Sequence, residues 1–192
     1  MFRFTLAVAL PLASALALAT PAAAQDTCEI AEDRFEMDEA AVTALYDCMS
    51  DRMFEGYTKE GNEIAGEYRD WQVTATRAAV AGPHQNRFLL TFVNEIGAEQ
   101  YLKFEEDIEM PVGTILAKES IGGRDGEARV GPLFIMEKVD DAPEFGNWFY
   151  SGVQPNGKEL KISQKFCHDC HGGFDFQDSM GYPVEEVRLT AN

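Results

Sequence analysis

The chain has 192 residues, with 16 Lys and Arg against 33 Asp and Glu and a formal net charge of −17 at pH 7. That length suits one domain with a real core. A surface this acidic repels phosphate backbones, which excludes nucleic acid as a partner and favours encounter with basic proteins, a basic electron-transfer protein among them.

Met1-Phe2-Arg3 gives a short positive start, and an Ala- and Leu-rich apolar run follows to about Ala19. Small residues at Ala22 and Ala24 then precede Gln25. This is the three-part pattern of an export signal in residues 1–24, with cleavage expected after Ala24 and the periplasm as destination. The apolar run is shorter than the ~20 residues that span a bilayer, and no second long run follows, so no membrane anchor is expected. Losing Arg3 with the signal makes the remainder one charge more negative. Four cysteines travel to an oxidising compartment, where disulfides persist. Two belong to a C-terminal motif. The remaining pair, Cys28 and Cys48, is expected to form a disulfide that pins the N-terminal segment to the first helix.

Residues 25–86 read as a helical region. Asp38 can cap a helix, with Glu39 in its first turn. Val42, Leu45, Met49 and Met53 then recur at three- and four-residue steps as one apolar stripe. Gly56 is the expected stop. Ile64, Tyr68 and Trp71 repeat the spacing in a shorter helix, and 78–86, with Gly82-Pro83, reads as a linker. From Arg87 the texture becomes that of strands, over 87–94, 113–120, 132–139 and 147–153, with a short one at 159–162. Residues 122–126 predict a hairpin turn. Short, turn-rich connections favour an antiparallel sheet. Residues from Gln164 onward read as a short helix. The expected fold class is α+β: N-terminal helices, an antiparallel sheet, and a C-terminal helical segment in the region 87–192.

That last segment carries Cys167-His168-Asp169-Cys170-His171. Two thiols three residues apart on a helical turn can each add to one vinyl group of a haem. The next residue, His171, then meets the iron as its axial ligand. His168 should point away. A thioredoxin-like reading lacks its βαβ setting, and a zinc site lacks a second ligand pair. The cofactor expected is one covalent haem c on Cys167 and Cys170. The sixth iron position is open. His84 is the only histidine outside the motif, although a histidine in a Gly-Pro loop is ordinarily solvated or hydrogen-bonded. Met110, Met136 and Met180 are the thioether candidates. Phe88, Phe92, Phe134, Trp148 and Tyr150 could line a haem pocket or simply fill the sheet core.

Three blocks in order resemble the cytochrome P-460 family, whose relatives include the cytochromes c′-beta. They are Met110-Pro-Val-Gly-Thr-Ile-Leu-Ala-Lys-Glu119, then Gly146-Asn147-Trp148-Phe149-Tyr150, then the Cys167–His171 motif with Asp178 behind it. The resemblance covers residues 87 to the C-terminus. It implies an antiparallel-sheet haem protein that oxidises hydroxylamine and passes electrons to a periplasmic acceptor. Its alternatives are nitric oxide binding without turnover and simple electron transfer. It also implies a lysine bonded to the haem ring, matched here by Lys118, and a distal carboxylate that shuttles protons, for which Glu159 is the candidate. A strand lysine paired with Glu119 or Glu137 is the ordinary alternative for Lys118. A homodimer is implied as well.

Overall fold

The computed structural model describes Met1 and residues 27–189. The apolar run of the expected export signal and the cleavage site after Ala24 lie outside the described residues. Among the described residues, no helix is long and apolar enough to cross a membrane.

The fold is α+β. Among the described residues, four α-helices, α1 (Glu39–Thr58), α2 (Glu63–Glu67), α3 (Glu95–Tyr101) and α4 (Gln164–His171), accompany one antiparallel sheet. Its strands are β1 (Gln72–Val73), β2 (Ala79–Ala81), β3 (Arg87–Val93), β4 (Ile115–Arg124), β5 (Glu127–Val130), β6 (Leu133–Lys138) and β7 (Trp148–Val153). The main path runs β1-β3-β4-β6-β7, with β2 on β3 and β5 on β4.

Helix α1 forms where its apolar stripe predicts. Asp38 caps it, its carboxylate accepting from the Ala41 amide at 2.8 Å, and Val42, Leu45, Met49 and Met53 are all buried. The helix does not stop at Gly56 but runs on to Thr58. Gly56 is needed for closeness instead: a Cβ there would lie 2.5 Å from the Pro155 carbonyl oxygen. The second helix is shorter than its spacing suggests, because Tyr68–Asp70 tightens into a 3₁₀ turn. The expected linker folds into β2 and a 3₁₀ turn at Gly82–His84. The hairpin turn narrows to Asp125-Gly126, both at positive φ, so that Arg124 pairs with Glu127 across a two-residue loop. Residues 159–162 give only one backbone bridge, Val153 to Glu159, rather than a strand.

Strand alternation divides the molecule into two compartments. Phe88, Leu90 and Phe92 of β3, Ala117 and Ile121 of β4, and Leu133 and Ile135 of β6 pack with α1 and α2 in one core. The Cys28–Cys48 disulfide belongs to this side and ties the N-terminal segment to α1. That segment also lies along β5, where Ala128 donates to the Cys28 carbonyl at 2.8 Å. Glu119, fully buried on the same face, accepts from Tyr46 at 2.5 Å, from Tyr68, and from Arg69 Nη2 at 2.6 Å. These bonds clamp α1 and the turn after α2 to β4. On the other face, Val93, Leu116, Met136, Trp148 and Tyr150 join Met110 and Met180 in a second core.

Candidate functional site

The second face of the sheet holds a cavity of 540 Å³, within the size range of cofactor sites. Leu89 and Thr91 of β3, Leu116 and Lys118 of β4, and Phe134 and Met136 of β6 form its floor. They are the alternate residues of three neighbouring strands, and Lys118 stands between its cross-strand partners Thr91 and Phe134. The wall opposite comes from α4 and the chain that follows it. The Gly82–His84 turn closes one side.

Ser163 caps helix α4, its hydroxyl accepting from the Phe166 amide at 3.2 Å. One helical turn then separates Cys167 from Cys170, and both line the cavity with His171. Burial first, and then its neighbour Cys170, pushes the Cys167 thiol up to about 11. His171 Nδ1 lies 2.7 Å from the Ser179 carbonyl oxygen. A carbonyl only accepts, so Nδ1 carries the hydrogen and Nε2 keeps its lone pair. Burial and the Lys118 charge hold the His171 pKa down to about 4, so the ring is neutral at physiological pH. His168 turns back toward Phe145 and Tyr150 and does not line the cavity, as its place in the motif predicts.

The Ser179 carbonyl is held by a buried ion pair. Asp178 and Ser179 both take left-handed backbone angles, φ 51° and 63°. The Asp178 carboxylate meets Lys138 Nζ at 2.7 and 2.8 Å and accepts from the Met110 amide at 2.7 Å. The pair thereby fixes the carbonyl that receives the His171 ring hydrogen, and with it the orientation of that ring.

Lys118 has neither of the carboxylate partners expected of a strand lysine. Glu119 points to the opposite face, into its Tyr46, Tyr68 and Arg69 cluster. Glu137 makes no ion pair with it, and among the described residues the Lys118 amine has no hydrogen bond. By surface area Lys118 is only half-buried, but that surface faces the cavity and the side chain is otherwise enclosed. Burial lowers its pKa from 10.5 to about 8.

His84 is half-buried at the cavity wall rather than solvated. Burial, and then the Lys118 charge, lower its pKa to about 3. Of the thioether candidates, Met136 and Met180 line the cavity, while Met110 is buried behind it. Of the aromatic candidates, Phe134 and Tyr150 line it, Trp148 packs in the second core, and Phe88 and Phe92 face the helices. Glu159 is exposed and off the cavity wall; Leu160 and Ile162 line it instead, so the expected distal carboxylate is not there. The Ser179 carbonyl was invisible to motif reading, because a backbone oxygen has no residue signature.

The donor set fits a haem better than a bare ion. Among the described residues, no group of three or more His, Cys, Asp and Glu side chains could hold a metal ion. A porphyrin supplies four nitrogens of its own and asks the chain for one imidazole, two thiols and an apolar wall. All three are present in the one cavity. No protein-family model matches the chain, and no curated protein matches it.

Proposed function

We propose that this protein is a periplasmic mono-haem cytochrome of the P-460 type, acting on or binding small nitrogen oxides. Oxidation of hydroxylamine, with electrons passed to a basic periplasmic partner, is the reaction that the family resemblance implies. The observation that carries the reading is the convergence of Cys167, Cys170, His171 and an unpaired Lys118 on one apolar cavity.

Cys167 and Cys170 would hold haem c by two thioether bonds, and His171 would hold its iron through Nε2. The bound haem supplies the electron acceptor and the ligand-binding metal. The chain does the rest. The Ser179 carbonyl fixes the His171 tautomer. Leu89, Leu116, Phe134 and Met136 exclude water from the sheet side. With a pKa of about 8, Lys118 has an appreciable neutral fraction above neutral pH, which suits the bond to the ring that the resemblance assigns to it. An amine in that state can also accept or return a proton in the cavity, a task left without a carboxylate by the outward position of Glu159.

The test is protein matured in a periplasm, examined by peptide mapping, absorption and turnover with an artificial acceptor. Haem on the Cys167–Cys170 peptide, bonded also to the Lys118 peptide, with a red-shifted Soret band and hydroxylamine turnover, is the expected result. Haem on the two cysteines alone, with nitric oxide binding and no turnover, would move the function to gas binding. A chain that leaves the periplasm without haem would overturn the cytochrome reading.

A further inference from the structure

The site has a second imidazole that the family resemblance does not use. His84 ends the short turn between β2 and β3 and lies on the side wall of the cavity that this turn closes. Its ring centroid lies 6.2 Å from that of His171, with the two planes at 76°. A metal ion bound by two opposed imidazoles at about 2 Å from each nitrogen, the length seen for zinc, holds the ring centroids about 6 Å apart. The observed centroid separation matches that spacing.

Two further observations point the same way. Among the described residues the His84 ring makes no hydrogen bond, so its nitrogens are not committed to another partner. Its position is also specified by its surroundings. Phe134 packs against the ring at 4.8 Å between centroids, and Arg87 Nη1 donates to the His84 carbonyl at 3.2 Å. The next two residues, Gln85 and Asn86, both hold positive φ, at 62° and 53°. Two consecutive left-handed residues are strained in an ordinary loop. Here they turn the chain back into β3 directly after placing His84 on the cavity wall.

We propose that His84 is the second axial ligand of the haem, opposite His171; this rests on the cytochrome reading above. The resting site is then closed. A small nitrogen oxide must displace His84, so access is governed by the Gly82–His84 turn rather than by an open coordination position. The competing thioethers, Met136 and Met180, lie on the same cavity but have buried positions in the second core.

The experiment uses the matured holoprotein and its ferric absorption and electron paramagnetic resonance spectra, with haem attachment checked by mass spectrometry. The wild type is expected to be low-spin, with the highly anisotropic signal of two imidazoles whose planes are near perpendicular. His84→Ala is expected to become high-spin while keeping its covalent haem, and to bind azide with affinity raised by about tenfold or more, since the internal competitor is gone. His84→Leu, which keeps apolar contact with Phe134, guards against a folding defect and should give the same spectrum. Met180→Leu should remain low-spin. A high-spin wild type, or a low-spin His84→Ala and His84→Leu, would overturn the assignment of His84 and leave the cytochrome reading standing. Wild type without attached haem would remove both.

Discussion

Asp178 grips Lys138 with both carboxylate oxygens, 2.7 and 2.8 Å from Nζ, while its own backbone carbonyl takes the Trp148 indole hydrogen at 2.7 Å. Lys138 is 3% exposed and Asp178 12%, so neither charge has water to fall back on. The pair anchors the segment after α4 to β6 and β7. Ser179, the next residue, then presents its carbonyl to His171.

Cutting this anchor should cost stability. Asp178→Ala strands a buried ammonium and is expected to destabilise the protein by about 3–5 kcal/mol. The double variant Lys138→Met with Asp178→Leu, which leaves no unpaired charge, should recover a large part of that loss. Denaturant midpoints of the two variants decide it. An Asp178→Ala midpoint equal to wild type would mean that the pair carries no stability.

A second outcome concerns the contact between α1 and the turn after β7. Gly56→Ala raises helix propensity, which alone would stabilise by up to about 1 kcal/mol. The added methyl, however, would stand 2.5 Å from the Pro155 carbonyl oxygen, a backbone atom. Overpacking of this kind costs about 1–3 kcal/mol and should win. A lowered thermal midpoint is expected; a raised one would show that the Pro155 turn yields freely.

The third outcome follows from Lys118 in the haem-free chain. Its folded pKa of about 8 lies below the ordinary 10.5. Between those values the unfolded chain binds a proton that the folded chain has released, so stability rises with pH across that window. Below pH 8 the charged amine is carried into the cavity at a cost. Lys118→Met should therefore raise the denaturation midpoint at pH 7 and remove the rise between pH 8 and 10. A Lys118 variant with the wild-type pH profile would show that the amine is solvated as in water.

Much of this was readable along the chain. The apolar stripe of α1, the alternating strands and the Cys167–His171 segment declare themselves through local period and spacing. The expected pairing of Lys118 with Glu119 fails because adjacent residues of a strand point to opposite faces. Helix α3 was hidden because its seven residues include a glycine in the first turn and bury only Gly97 and Tyr101, leaving no stripe. Strands β1 and β2 are two and three residues long, too short to show a period. His84 sits in a Gly-Pro context that locally signals solvent. Only the long-range pairing of β2, β3 and β4, and the reach of Phe134 from β6, bring it to the cavity.

Strand β4 separates two chemical rooms by the thickness of one backbone. Lys118 opens into one and Glu119 into the other. Inserting or deleting a single residue ahead of Lys118 would exchange their contents, sending a carboxylate to the cavity and an amine among Tyr46, Tyr68 and Arg69. Length changes on this strand are thus tolerable only in pairs, and both rooms must accept each one at once.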